Sequence, residues 1–308
     1  RLKLRSYTSI DFHGSTQLGS TEMSRLTLDA PQLLGLGTAT DTVVVQARNV
    51  VLANSSGRTA PTNAQTQVEQ GASSLQILAQ PLLRDGHTGG LTIDASLGHN
   101  QAAGALAGQR LGFAKSLLES TGDIVFQGRG QTLAQGDLTL RAARVTATST
   151  SDQQVDAAGT LAIERHAAGK TLNESLGAGG KLGLTGALVQ QKGLIDIEAG
   201  RLSLIGRGVA GQSDTVIFAN GSQTRVDGRL REVSDSYAVA SGGGQITAEA
   251  QTGRLVVDGQ LSAAAPVMPT GYTGDNPYAG SISLKAAGST DGAVVIGTNA
   301  DINLEAAS

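Results

Sequence analysis

Cysteine is absent, and so is tryptophan. The first absence excludes disulfide staples and thiolate chemistry. The second, with only four Phe and four Tyr, leaves aromatics at 3% of the chain. A globular enzyme usually fills its core with aromatic side chains, because each buries a large area. Here the core is expected to come from Leu, Ile, Val and Ala, which suits a thin, repetitive interior. No run of about 18 apolar residues exists, so there is no transmembrane helix to insert into a membrane. Charge of one sign is also missing, with a net value of −3 and no long run. Neither nucleic acid nor an anionic membrane surface is therefore an expected partner. Glycine is abundant, at 42 of 308 residues, about twice its ordinary share. The hydrophobic fraction of 39% is enough to exclude wholesale disorder.

One short pattern recurs along most of the chain: a Gly or small polar residue, alternating aliphatic residues, then a small residue. It reads TGDIVFQG from Thr121, QGDLTLRA from Gln135, AGTLAIER from Ala158 and GKLGLTGA from Gly180. Later copies are GRLSLIGR from Gly200, GGQITAEA from Gly243 and GSISLKAA from Gly280. The aliphatic pairs are spaced i, i+2, which is the strand period. Copies recur near 20 residues: Leu161 to Leu182, Leu182 to Leu202, Ile282 to Ile302. Recurrence on that scale marks a solenoid coil. Shorter offsets, such as Ile195 to Leu202, fit two strands of one coil joined at a Gly corner. The predicted fold is an all-β, right-handed parallel β-helix of about 11 to 14 coils, a rod roughly 50–65 Å long. Leu138, Leu140, Leu161, Ile163, Leu182, Leu184, Leu202 and Leu204 are expected to share its interior. Asn54 and Asn220 each follow an apolar strand, where a left-handed corner residue is expected. Both chain ends interrupt the pattern, so residues 1–308 read as a single segment cut from a longer chain.

Three stretches break the pattern and are expected to leave the rod: 54–74, 97–120 and 265–280. Within the second, Leu111–Ser120 fits either a short helix or a strand-and-turn excursion. The third holds half of the six prolines, together with Tyr272 and Tyr278. This Pro/Tyr loop is the candidate contact surface, since tyrosines anchor interfaces and prolines limit the entropy lost on binding. The plainer reading is a decoration packed on the flank.

Motifs for chemistry are missing. GAGGKLG at Gly177–Gly183 has Leu182 where a phosphate loop needs Ser or Thr. No G-x-S-x-G elbow exists. His13, His87, His99 and His166 do not pair at metal-ligand spacing. Acids such as Asp94, Asp123, Asp137 and Asp196 come one per strand, which reads as a solvated face. No catalytic residue, cofactor or metal is therefore expected, and the chain is not expected to be an enzyme. Acids distant in sequence still stack across coils, so a β-helix polysaccharide lyase or hydrolase remains the alternative.

The strand-and-glycine grammar resembles the filamentous haemagglutinin family, the large exoproteins of bacterial two-partner secretion. The likeness is closer to a region of unknown function in the C-terminal part of some members. It is carried by RSYTSIDFHG at Arg5–Gly14, SRLTLDAPQLLG at Ser24–Gly35, VVLANSSG at Val50–Gly57 and QGDLTLRAARVTATS at Gln135–Ser149. It continues in LGLTGALVQQKGLIDIEAGRLSLIGRG at Leu182–Gly208. The resemblance implies a secreted rod on the bacterial cell surface, exported through a dedicated outer-membrane transporter barrel. It implies a structural or adhesive shaft, serving adhesion, biofilm or aggregation by contact with glycans or proteins of host or neighbouring cells. A stalk presenting a toxin is the further alternative.

Overall fold

The computed structural model describes residues 1–58, 72–81, 88–94, 108–171, 176–270, 277–287 and 292–306. Leu2–Arg5 opens a first sheet, Ile10–His13 a second and Thr16–Gly19 a third. Arg25–Asp29 then returns to the first sheet and pairs in parallel with Leu2–Arg5. This cycle repeats along the chain. The first and third sheets hold ten strands each and the second nine, every pairing within them parallel. No helix occurs among the described residues. The protein is a parallel β-helix.

Strand alternation builds the interior. The eight aliphatic residues from Leu138 to Leu204 named above are all buried and belong to one core. Leu138 stacks on Leu161 and Leu140 on Ile163 in the third sheet. Leu182 stacks on Leu202 and Leu184 on Leu204 in the second. Of the three near-20-residue spacings, only Leu182 to Leu202 is therefore a coil repeat. Leu161 and Leu182 lie in different sheets, as do Ile282 and Ile302. Ile195 and Leu202 are consecutive strands of one coil, joined at Gly200. The third sheet counts ten successive strands, about 43 Å at a spacing of ~4.8 Å. The rod is shorter than the sequence suggested because excursions consume residues.

Other expectations need correction. All four phenylalanines, Phe12, Phe113, Phe126 and Phe218, are buried in the core. The thin interior thus accepts aromatic rings: Phe12 pairs in register with Gly35, and Phe126 stacks between Ile93 and Ala147. Leu111–Ser120 is neither helix nor excursion: Gly108–Gly112 and Lys115–Ser120 are rod strands in the second and third sheets. Leu111 and Leu118 point inward, Leu117 outward, and Phe113 turns into the core at the corner. Residues 97–107 of that stretch, and 59–71 of the first, lie outside the described residues. Neither Asn54 nor Asn220 is left-handed. Asn54 holds its corner with its side chain, donating to the carbonyls of Arg58 (2.7 Å) and Gly108 (2.8 Å). Beside Asn220 the left-handed residue is Gly221, at φ 79°.

Two coils lack one strand among the described residues. Between Asn49–Ala53 and Ser74–Ala79 the second sheet is bypassed, and Gln32–Leu36 pairs directly with Gly108–Gly112. Between Thr160–Arg165 and Lys181–Gly186 the first sheet is bypassed, and Val145 pairs directly with Ile195. An excursion unforeseen in the sequence is a hairpin, Leu230–Ser234 with Tyr237–Ala240, the one antiparallel pairing among the described strands. Its signal was present: apolar alternation through Val233, Tyr237 and Val239, broken by a polar Asp235–Ser236 turn.

Corners stack glycine on glycine. A Cβ on Gly244 would sit 2.0 Å from the Gly200 carbonyl oxygen of the next coil, and one on Gly280 1.8 Å from that of Gly244. Gly244→Ala is expected to cost about 2–3 kcal/mol, since backbone rather than a flexible side chain must move. Urea unfolding checks this, with a lower midpoint at unchanged slope.

The corner at Asp29 sets an acid limit on stability. Its carboxylate is buried yet meets Lys3 Nζ at 2.8 Å, Ser55 Oγ at 2.7 Å and Ser55 N–H at 2.7 Å. Burial pushes the Asp29 carboxyl up, but the bonds from Lys3 and Ser55 outweigh it and hold it below its ordinary 3.8. A group depressed on folding stabilises above its unfolded value and loses that contribution as pH falls through the folded one. Stability of the native chain should therefore drop below about pH 4 more steeply than that of Asp29→Asn, measured by denaturation across pH 2–7.

Candidate contact surfaces and grooves

Most outward strand positions carry small or polar side chains such as Thr139, Ser203 and Ser283. Charged ones pair across coils. Glu119, Arg141 and Glu164 are register neighbours in the third sheet, with Arg141 bonding Glu119 at 3.0 Å and Glu164 at 2.8 Å. Three places on this surface differ.

The first is a groove across the first sheet, of about 170 Å³, beside the bypassed strand. It gathers Arg144, Asp196, Glu198, Arg225, Asp227 and Arg229. The acids thus do not form the plain solvated face read from the sequence. Asp123 is buried, and Arg144 Nη2 donates to it at 2.6 Å, with Asp196 3.6 Å from Arg144 Nη1. Burial works against the charge on Arg144. Hydrogen bonding and attraction from Asp123, then Asp196, more than offset it, and the guanidinium is held above its ordinary value. Glu198 accepts from Arg229 at 3.3 Å and lies 3.5 Å from Arg231. Asp227 accepts from Ser262 Oγ and from the Ala264 N–H. Each carboxylate is engaged by the protein itself.

The second is the corner between first and second sheets, from which the hairpin and the 265–280 stretch both leave. Val233, Tyr237 and Val239 stand exposed on the hairpin, and Val267 on the neighbouring stretch. Of the two candidate contact residues, Tyr278 is 85% exposed and Tyr272 lies outside the described residues. Tyr278 is not packed down as decoration, but its backbone is fixed: the Gly243 N–H donates to its carbonyl at 3.0 Å. That bond joins the root of the hairpin to the end of the Pro/Tyr stretch, so two excursions distant in sequence are tied together where they leave the rod.

The third is an open groove of about 560 Å³ on the second sheet, between Arg110 and Arg207.

The two described histidines do not converge. His13 is an exposed strand residue, His166 Nε2 lies 3.7 Å from Glu119, and His87 and His99 lie outside the described residues. Among the described residues no group of three His, Cys, Asp or Glu is placed to hold a metal ion. No family model matches the chain, and no curated protein or solved structure does either.

Proposed function

We propose that this chain is a structural and adhesive shaft segment of a secreted bacterial surface protein of the filamentous haemagglutinin type. On this reading it leaves the cell through an outer-membrane transporter barrel and serves adhesion, biofilm or aggregation. The observation that carries the proposal is the division of labour along the rod. Coils stack on a continuous, mostly aliphatic interior and expose mainly small polar residues; apart from Val294, Ile296, Ile302 and Leu304 at the last coil, the exposed large apolar side chains of the described residues stand on excursions and corners. Strand faces of Ser and Thr give little anchoring area, whereas tyrosines are favoured interface anchors. The strand-and-glycine segments quoted above supply the family half of the reading.

The test displays the whole chain on a non-adherent bacterium and removes either residues 230–240 or residues 266–279, closing each gap with two glycines. Both variants are expected to keep a cooperative β-sheet unfolding transition and to lose most cell aggregation and surface attachment. Full attachment by folded forms of both variants would contradict the proposal.

The groove on the first sheet supports a second reading, a polysaccharide-cleaving enzyme, because stacked Asp, Glu and Arg line it. Paired carboxylates of glycosidases need one free acid and one free base, whereas these accept from Arg229, Arg144, Ser262 and backbone. The shaft reading expects no cleavage of pectin, alginate or glycosaminoglycans. Chain cleavage that disappears in Asp196→Asn or Glu198→Gln would make the enzyme the better account.

A further inference from the structure

The groove on the second sheet has a floor that the register defines. Arg110, Leu133 and Asp156 occupy one outward column on three successive strands. Arg110 and Asp156 are thus two strand spacings apart, about 10 Å, with Leu133 between them. At the far end Arg207 donates to Asp156 Oδ1 at 2.7 Å and to the Ala157 carbonyl, which fixes that guanidinium. The side chain of Arg110 is half-buried and makes no hydrogen bond or ion pair among the described residues. The exposed Gln135 and Ala158, with the buried Ala134, complete the described lining. A volume near 560 Å³ falls within the range of small-ligand sites.

This arrangement limits what fits. Strand N–H and C=O groups on the floor are already spent in the parallel ladder, so an extended peptide finds no edge to add to. Among the described residues no aromatic side chain lines the groove to anchor a helix or stack a base. One free guanidinium and one already paired carry too little charge for a nucleic-acid backbone. What remains is a ligand with one planar anion, an apolar face and several hydroxyls. A carboxylate takes two parallel bonds from Arg110. The C–H face of a sugar ring covers Leu133 and Ala158, and its hydroxyls meet Gln135 and the Arg207–Asp156 pair. We infer that this groove binds a carboxylated sugar unit of an acidic polysaccharide. The inference stands apart from the hairpin and the Pro/Tyr stretch, because no described residue of either lines the groove.

Titration calorimetry of the whole chain with oligogalacturonate and oligoguluronate tests it, with heparin fragments and a neutral glucan as comparisons. Binding of at least one carboxylated oligomer is expected, weakened by salt and reduced at least about tenfold in Arg110→Gln. Arg110→Lys should recover part of the loss, since it restores charge without the planar fork. Ala158→Glu places a negative charge on an exposed floor position and should abolish binding in a chain that still melts normally. It serves as the second variant if Arg110→Gln fails to fold. The inference is overturned if no carboxylated oligomer binds, if both variants bind like the native chain, or if neutral glucan or heparin binds more tightly.

Discussion

Leu184→Asp is expected to remove most of the stability of the coils around it. Leu184 is fully buried, stacked between Val155 and Leu204 in the second sheet. Its partners above and below are aliphatic, so an aspartate there is stripped of water between two apolar side chains. Burying such a group costs several kcal/mol even after it takes up a proton, against a typical domain stability of about 5–15 kcal/mol. Thr185→Asn, one residue on, points outward beside Asp156 without adding charge and should change stability by no more than about 1 kcal/mol. In a solenoid each coil contacts only its neighbours. Amide exchange in Leu184→Asp should therefore rise first across Val155, Leu182 and Leu204 and later at distant coils. Urea unfolding and exchange of the two variants measure the contrast. Similar loss in both would mean that the alternation along Lys181–Gly186 does not set the interior.

Arg144→Ala is the second large effect. It leaves Asp123 buried without the cation that donates to it through Nε at 3.2 Å and Nη2 at 2.6 Å. Removing one partner of a buried pair costs about 3–5 kcal/mol, whereas replacing both with apolar residues of similar volume is often near neutral. Arg144→Met combined with Asp123→Leu should therefore recover most of the stability lost in Arg144→Ala. Asp123→Leu alone leaves the cation with Asp196, 3.6 Å away, and should cost less. A double-mutant cycle read by urea unfolding gives the coupling. Additive losses would show that the pair contributes no more than two surface charges.

What the sequence made legible follows from period. Alternation at i, i+2, with a glycine before and a small residue after, identified strands such as Asp137–Ala142 and Arg201–Gly206 and the direction their leucines face. It could not say which strands stack, because neighbours in a sheet are one coil apart and coils differ in length. Leu138 meets Leu161 across an ordinary coil, but Leu202 meets Ile246 only after the chain has made the whole hairpin. A fixed spacing therefore misled at Leu161–Leu182. Leu111–Ser120 was ambiguous because a short apolar run satisfies both helix and strand periods, and the stacking of Ser116 on Leu75 and Leu138 decides for the strand. The grooves were the least legible. Arg110, Asp156 and Arg207 lie far apart in sequence and meet only through register and one ion pair.

The excursions branch from a stack that stays continuous beneath them. A cysteine pair tests this continuity most directly in a chain that has no cysteine of its own. Ser203 and Thr247 are register partners on the outer face of the second sheet, one before the hairpin and one after it. Adjacent parallel strands bring such Cα atoms within the separation a disulfide spans. Mild oxidation of Ser203→Cys/Thr247→Cys is expected to give a near-complete intramolecular disulfide in the folded chain, and Ser203→Cys/Gln251→Cys almost none. Equal cross-linking of the two pairs, or none in the first, would contradict a stack that runs unbroken past the hairpin.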